Sequence, residues 1–288
     1  MPTSPLTWFI TGCSSGFGET LVRQLRASGD NVIATGRNAE SKLAHLKDTG
    51  AAVMDFDVTI STSDIEAKVS EAWGLFGNGI DVVVNNAGFI MSGAFEELTV
   101  EDFERTMNTN FHGPLNITRA FLPYLRGKGS GTLLYISSQA GWHADPAASA
   151  YCASKFALEG AIECLYKELT LVAPAIKVLI VEPGYYRTRA FTNINYGAAR
   201  VSAYAQFSAG SRAYVKGVVG NEPGDPDRAV ERIVELVKGT GMASGRTVPL
   251  RVPLGSDGLA RVKAKCEDML KVCDEWEDVA KSTDFAPS

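Results

Sequence analysis

Apolar segments of strand length alternate with helical segments along most of this 288-residue chain. Each apolar run is followed by a stretch in which apolar residues recur three or four positions apart, the spacing of one buried helix face. Buried strands that alternate with helices pair in parallel, and right-handed crossovers place helices on both faces of the sheet. The sequence therefore predicts an α/β fold, a doubly wound parallel sheet of about seven strands in a single domain over residues 1–288.

The predicted elements follow one another without a linker that would divide the chain. Strands are predicted over residues 6–11, 31–35, 52–56, 80–84, 131–137, 176–181 and 247–252. Helices are predicted over residues 100–125 with an interruption at Gly113-Pro114, over 153–172, over 228–238 with Asp225 as N-cap, and from Ser256-Asp257 to about residue 280. Residues 189–224 are rich in Ala, Ser, Tyr and Gly and are predicted to be irregular.

Charge and cysteine usage exclude several classes of protein. The net charge of −5 gives no support for binding to nucleic acid or to an anionic membrane. Five cysteines lack the spacing of a metal site or of a disulfide framework, so we expect free thiols, no metal and a reducing compartment. The N-terminus has no basic segment followed by a long apolar run, which predicts a cytoplasmic protein without a membrane span.

A glycine-rich turn lies between the first predicted strand and the first predicted helix. Gly12, Gly16 and Gly18 allow a tight turn and a close approach of a diphosphate to backbone amides. The N-terminus of the following helix adds a partial positive charge. At this place in an alternating chain, the turn predicts a dinucleotide site.

Tyr151 and Lys155 are four residues apart in a predicted helix, so they share one face. A nearby ammonium favours the phenolate and lowers the pKa of a tyrosine, which then exchanges protons near neutral pH. Ser138, thirteen positions upstream of Tyr151, could hold the same substrate oxygen. The alternative interpretation of the Tyr–Lys pair is an ordinary solvated helix face.

Taken in order, these motifs resemble the short-chain dehydrogenase/reductase family from about Leu6 to Thr188, nearly two thirds of the chain. The matching segments are Thr11-Gly12-x-x-x-Gly16-x-Gly18, Asn85-Asn86-Ala87-Gly88, Asn110, Ser138, Tyr151-x-x-x-Lys155 and Pro183-Gly184. The resemblance implies a Rossmann-type fold and a nicotinamide-dependent oxidoreductase acting on CH–OH groups.

The same resemblance assigns roles to individual residues. It implies that Tyr151 is the acid/base and that Lys155 lowers its pKa and binds the nicotinamide ribose. It implies that Ser138 orients the substrate oxygen and that Asn110 holds a water in a proton relay. Other implied cofactor contacts are Gly12, Ser14, Ser15, Gly16, Phe17 and Gly18 at the diphosphate and ribose, Asp57 and Val58 at the adenine, Asn86, Ala87 and Gly88 beneath the cofactor, and Pro183, Gly184, Tyr185 and Thr188 at the nicotinamide end.

The end of the second predicted strand indicates which nicotinamide cofactor is used. A carboxylate at Gly36 would bind the 2′-hydroxyl of the adenine ribose and favour NAD, but none is there. Arg37 offers a guanidinium suited to a 2′-phosphate. The sequence therefore predicts NADP(H), with carbonyl reduction as the working direction, although Arg37 could also be a plain surface charge on a turn.

The predicted activity is hydride transfer between NADP(H) and a ketone or aldehyde of a bulky apolar small molecule. Residues 189–224 are expected to form a substrate lid that carries Phe191, Tyr196, Tyr204, Phe207 and Tyr214, and Trp142 and His143 could line the same pocket. These aromatic side chains either contact substrate or pack the lid on the core, and the sequence leaves both open. Hydroxysteroid- and retinol-type members and secondary-metabolite ketoreductases fit the motifs equally well.

Two further expectations concern assembly and rival activities. The resemblance implies a homodimer or homotetramer, and residues 253–288 form a C-terminal extension that could cover the tetramer surface. One rival is imine reduction or another biosynthetic reaction at the same cofactor site. The other is a non-enzymatic NADP-binding redox sensor, against which the intact Ser138, Tyr151 and Lys155 argue.

Overall fold

The computed structural model describes residues 5–285, and a parallel sheet of seven strands runs through its centre. The strands in chain order are β1 (Thr7–Ile10), β2 (Asn31–Gly36), β3 (Ala52–Asp55), β4 (Val82–Asn85), β5 (Met91–Ser92), β6 (Gly131–Ile136), β7 (Ile176–Pro183), β8 (Asn195–Tyr196) and β9 (Arg251–Leu254). The large sheet has the order β3-β2-β1-β4-β6-β7-β9, and β5 pairs with β8 separately. This arrangement confirms the predicted doubly wound α/β fold.

Helices cover both faces of the sheet. They are α1 (Gly16–Ala27), α2 (Ala39–Lys42), α3 (Thr62–Gly74), α4 (Val100–Met107), α5 (Gly113–Lys128), α6 (Ser149–Val172), α7 (Ala205–Val218), α8 (Pro226–Lys238), α9 (Ser256–Glu275) and α10 (Glu277–Lys281). Side chains alternate along each strand, so Phe9 faces the core under α3, α5 and α6, while Trp8 faces the core under α1 and α8. A sheet buried on both faces explains why its strands are apolar throughout.

The topology fixes where a ligand can bind. After β3 the chain crosses back past β1 to start β4 on the other side, so the order of strands reverses between β1 and β4. In open α/β sheets the crevice at such a switch point, beyond the carboxyl ends of the strands, is the usual ligand site. The segments that follow β1, β4, β6 and β7 all begin at this edge of the sheet.

The lid segment differs from the prediction. Residues 189–224 contain the fourteen-residue helix α7 and the short strand β8, so they are not irregular throughout. None of the α7 residues is buried, which explains the absence of an apolar stripe that would have revealed the helix.

Element boundaries were also corrected at three places. The predicted helix over 100–125 is divided by a π-helical turn, Asn108–His112, before α5 begins. The last strand lies at Arg251–Leu254 rather than 247–252. The last helix ends at Glu275, and α10 follows as a separate short helix.

The two predicted helix caps had different outcomes. Asp225 caps α8 as predicted, accepting hydrogen bonds from the amides of Asp227 and Arg228. Ser256-Asp257 was expected to cap the last helix, but Asp257 accepts instead from the amide of Tyr185 at 2.7 Å. Gly255 precedes α9 without any side-chain cap. Asp257 therefore ties α9 to the loop after β7.

Residues 1–4 and 286–288, which belong to the predicted domain and partly to the predicted C-terminal extension, lie outside the described residues. Over residues 5–285 no helix has the length and apolar character needed to cross a membrane. In the same part of the chain no three His, Cys, Asp or Glu side chains form a group that could hold a metal. All five cysteines are free thiols.

Candidate active site

A cleft of about 1050 Å³ opens at the switch point of the sheet. It brings together nearly all the residues that the sequence singled out. The predicted site residues that line it are Gly12, Ser14, Ser15, Gly16, Phe17, Arg37, Asp57, Val58, Asn86, Ala87, Gly88, Ser138, Tyr151, Lys155, Pro183, Gly184, Tyr185 and Thr188. Gly18 and Asn110 are not part of this lining and lie behind it.

The glycine turn is shaped by close backbone packing. Gly12 has a φ of +72°, and a Cβ on it would lie 2.8 Å from Ala87 Cα, so the turn after β1 lies directly against the segment after β4. A Cβ on Gly18 would lie 2.4 Å from the Gly12 carbonyl oxygen. Gly18 therefore lets α1 start directly beneath the turn rather than contacting a ligand itself.

Thr11 and Asn86 hold the two sides of this turn together. The Thr11 hydroxyl accepts hydrogen bonds from the amides of Asn86 and Ala87, both at 3.0 Å. The Asn86 amide donates in return to the carbonyls of Thr11 at 2.8 Å and Gly12 at 3.1 Å. These reciprocal bonds make the floor of the cleft rigid, which sequence reasoning did not foresee for Thr11.

The start of α1 offers backbone amides to the cleft. Ser15 occupies the N-cap position, but its side chain makes no capping hydrogen bond. The first-turn amides of a helix have no partner within the helix and carry a partial positive charge. Together with the glycine turn that a Cβ would fill, this arrangement fits the diphosphate of a dinucleotide.

Two cations lie at the other end of the cleft, near the end of β2. Arg37 and Lys42 are exposed and both line the cleft. Among residues 5–285 neither forms an ion pair with an acidic side chain within 4 Å. Sequence reasoning missed Lys42, although its position five residues after Arg37, at the end of the short helix α2, was a usable signal.

Tyr151, Lys155 and Ser138 meet on one wall of the cleft. Tyr151 and Lys155 are one turn apart in α6, and Lys155 Nζ lies 5.8 Å from the centroid of the Tyr151 ring. Lys155 Nζ donates to the carbonyl of Ile136 at 2.9 Å. Ser138, just after β6, lies beside Tyr151 and acts to lower its pKa, and its hydroxyl accepts from the amide of Ala140 at 3.1 Å.

Burial is the largest influence on the pKa values of Tyr151 and Lys155. It raises the pKa of Tyr151 to about 12, and the Ser138 side chain only partly opposes this. Burial also lowers the pKa of Lys155 to about 8, against the charge of Glu159. Burial therefore outweighs any lowering of the Tyr151 pKa by Lys155 in the protein alone, and the role of Lys155 toward Tyr151 stays a prediction. The spacing of Tyr and Lys in a sequence says nothing about how dry their surroundings are.

Asn110 lies in the π-helical turn, a feature that often marks functional sites. Its amide donates to the carbonyl of Phe89 at 3.0 Å and to the Ser154 hydroxyl at 3.1 Å, and its oxygen accepts from the Phe89 amide at 3.1 Å. The side chain is thus fully used in fixing the loop after β4 against α6. Its role in holding a water stays a prediction.

The predicted substrate end is only partly formed as expected. Phe191, Phe207 and Tyr214 line the cleft, whereas Tyr196 and Tyr204 do not. Trp142 and His143 were wrongly placed in the pocket. The Arg251 guanidinium lies 5.3 Å from the Trp142 ring centroid, and His143 lies 3.3 Å from Asp145. Neither side chain belongs to the lining of the cleft.

A buried glutamate fastens residues 200–208 to the body of the protein. Glu97 accepts hydrogen bonds from the amides of Arg200 and Val201 at 3.0 and 3.2 Å and from the Ser208 hydroxyl at 2.9 Å. The Arg200 guanidinium donates to the carbonyl of Glu97. Local sequence patterns do not indicate this contact, because Glu97 and its partners are more than a hundred residues apart.

Comparison with known proteins now identifies the family. The model of the short chain dehydrogenases matches residues 7–198. The chain belongs to the short-chain dehydrogenase family. A curated relative, an uncharacterized oxidoreductase from Schizosaccharomyces pombe, is 34% identical over an alignment of 290 positions, which covers 97% of this chain and 91% of the relative. The family resemblance seen in the sequence is confirmed, and the protein is an oxidoreductase of this family.

Two further similarities are consistent with this assignment. A crystal structure of a short-chain dehydrogenase from Streptomyces avermitilis superimposes with a TM-score of 0.85 at 34% identity, covering 99% of this chain and 100% of that one. A 3-ketodihydrosphingosine reductase from Bacteroides thetaiotaomicron is 37% identical over 195 residues, 66% of this chain and 68% of the relative.

Proposed function

We propose that this short-chain dehydrogenase is an NADPH-dependent carbonyl reductase that also runs in reverse as an alcohol dehydrogenase. The observation that carries the proposal is the meeting of Tyr151, Ser138 and Lys155 on the wall of a cleft whose far end holds Arg37 and Lys42. Proton donors lie at one end of this cleft and unpaired cations at the other. A reducing dinucleotide with an extra phosphate suits both ends.

The residues that would hold the cofactor follow from the cleft. The amides at the start of α1 and the turn at Gly12 suit the diphosphate, and Arg37 and Lys42 suit a 2′-phosphate. Pro183 and Thr188 line the same cleft and would meet the nicotinamide. When bound, the reduced nicotinamide supplies a hydride to the carbonyl carbon of the substrate.

The protein supplies the proton and the orientation. Ser138 and Tyr151 are placed to hydrogen-bond the same substrate oxygen. A pKa of about 12 keeps the Tyr151 hydroxyl protonated at neutral pH, which suits an acid that protonates the oxygen as carbonyl is reduced to alcohol. Lys155 adds positive charge beside it at pH values below about 8. Loss of that charge removes a stabiliser of negative charge on the substrate and on Tyr151.

The lining of the cleft supports a bulky apolar substrate. Phe89, Phe191, Phe207 and Tyr214 surround its outer part, and apolar walls with few polar groups suit such ligands. We propose residues 189–224 as the substrate lid, since Glu97 anchors it beside the mouth of the cleft. The similarity to a reductase whose name specifies a 3-keto substrate supports a ketone.

The test is a panel of ketones and aldehydes assayed by NADPH absorbance, with NADH in parallel. We expect alcohol products from bulky apolar carbonyl compounds, and a higher kcat/KM with NADPH than with NADH. Product masses distinguish this reaction from imine reduction. A folded protein that binds NADPH and reduces no carbonyl compound would contradict the proposal.

A further inference from the structure

A pair of buried carboxyl groups lies directly beneath the proposed catalytic residues. Glu159 is one helical turn after Lys155 in α6, and Glu182 lies near the end of β7, just before the segment that lines the nicotinamide end. Each is only 1% exposed. Arg251 at the start of β9 lies between them and hydrogen-bonds Glu159 Oε2. Neither glutamate is used in the reaction described above.

The two carboxyl groups differ sharply in their hydrogen-bond donors. Ser137 Oγ donates to Glu159 Oε1 at 2.5 Å, and Arg251 donates to Glu159 Oε2. No residue in the described part of the chain donates a hydrogen bond to either oxygen of Glu182, and Arg251 Nη1 stays 3.6 Å from its Oε1. Donors favour the charged form of a carboxyl group. If only one of the pair is ionised, it is therefore Glu159.

The charges around the pair allow only one ionised member. Two cations face it, Lys155 from α6 and Arg251 from β9. Arg251 is also bound at 2.9 Å by Glu163, which is partly exposed on α6. With both buried glutamates ionised, three anions face two cations. With Glu182 protonated the charges balance, and an unbalanced buried charge is costly.

The remaining neighbours do not change this count. Ser137 and Ser138 after β6, and Gln139 and Trp142 in the turn that follows, carry no charge. Tyr151 stays neutral because burial raises its pKa. Burial also raises the pKa of both carboxyl groups, and an ionised Glu182 would raise the pKa of Glu159 further, so the two do not readily ionise together.

Space for this arrangement is reserved by the backbone. A Cβ on Gly141 would lie 2.1 Å from Glu159 Oε1, so the turn after Ser138 fits against this carboxylate only with glycine at position 141.

We propose that Glu159 and Glu182 share one proton, that Glu182 carries it, and that ionised Glu159 is the positioning residue that keeps Lys155 charged. This inference rests on the proposed function, since it gives the Lys155 charge its role.

The shared proton is tested without any substrate, by calorimetric unfolding at pH 6 in two buffers of different ionisation enthalpy. Carboxyl groups of the unfolded chain, with a pKa near 4.5, are largely ionised at this pH, so unfolding releases the shared proton. We expect the wild type to release about one proton more than Glu182→Gln, whose amide replaces the protonated carboxyl. Glu168→Gln, at an exposed position of α6, is the matched control and should release as many protons as the wild type. Equal release by wild type and Glu182→Gln overturns the proposal, and Glu182→Met replaces Gln if that variant does not fold.

The positioning role is tested with Glu159→Gln. Removing the anion should move the alkaline limb of kcat/KM to lower pH by about one unit or more, while the exposed-site control Glu168→Gln leaves it in place. Binding of NADPH, followed by its fluorescence, should stay within about threefold because Glu159 does not line the cleft. An unmoved limb, or an equal movement in Glu168→Gln, overturns the role.

A failure of the proposed function is recognised separately, because the wild type would then reduce no carbonyl compound. The charge of Lys155 can still be followed in that case through the pH dependence of unfolding. A buried lysine with a lowered pKa makes the protein more stable as pH rises above that pKa. In Glu159→Gln this rise should begin about one pH unit lower than in the wild type. A rise that begins at the same pH overturns the inference.

Discussion

Replacing Lys155 with methionine should make the protein more stable while it abolishes the proposed activity. Burial lowers the pKa of Lys155 from 10.5 to about 8, and each pKa unit corresponds to about 1.4 kcal/mol, so holding this lysine charged at pH 7 costs about 3 kcal/mol. Methionine fills the same space without the charge. It leaves the Ile136 carbonyl without its donor, a loss of about 1 kcal/mol. We therefore expect Lys155→Met to unfold with a free energy about 2 kcal/mol higher than that of the wild type.

The assay is urea unfolding at pH 7 and at several pH values up to 11. Between pH 8 and 10.5 the unfolded chain binds more protons at this lysine than the folded chain, so wild-type stability should rise with pH in that window. The variant should lack this contribution, and Lys155→Arg, which keeps the charge, should not be stabilised. A variant that is less stable than the wild type at pH 7, together with no alkaline rise in the wild type, would refute the reasoning.

Two other predictions concern the cofactor and the fold. Arg37→Asp should lower the NADPH-to-NADH ratio of kcat/KM by about 100-fold, because charged hydrogen bonds to a phosphate are lost and repulsion is added, and Lys42→Ala should lower this ratio by about fivefold. Steady-state kinetics with both cofactors measures the ratio, and an unchanged ratio argues against the 2′-phosphate site. Asp30→Asn should lower the unfolding free energy by about 3 kcal/mol, because buried Asp30 pairs with Lys238 at 2.6 Å and accepts from Trp8 Nε1 at 3.2 Å. Urea unfolding checks this, and a loss below about 1 kcal/mol would show that the contact is replaced by water.

The positions of the main strands along the chain were predictable because the sheet is buried on both faces. Trp8 and Phe9 point into opposite cores, so the whole strand is apolar and stands out in the sequence. Helix α7 could not be found in this way, because none of its residues is buried. Asp257 has the sequence position of a helix cap, but its carboxylate accepts a hydrogen bond from the amide of Tyr185, 72 residues earlier in the chain.

Much of the candidate site was also visible in the sequence. Local spacing placed Tyr151 and Lys155 on one helix face, and the glycine turn after the first strand located the floor of the cleft. Their ionisation was not predictable, since it depends on burial by the whole fold. The pair of buried glutamates was not predicted from the sequence either. Glu159, Glu182 and Arg251 come from three separate elements, and no spacing links them.

The central claim is that the Tyr151 hydroxyl protonates the substrate oxygen in a cleft that holds NADPH. The most direct measurement compares wild type and Tyr151→Phe for reduction of one ketone that the wild type accepts, with NADPH binding measured on the same samples. The account predicts that kcat/KM falls by about 1000-fold while the Kd for NADPH stays within about threefold. A folded Tyr151→Phe variant that binds NADPH and reduces the ketone at nearly the wild-type rate would contradict it.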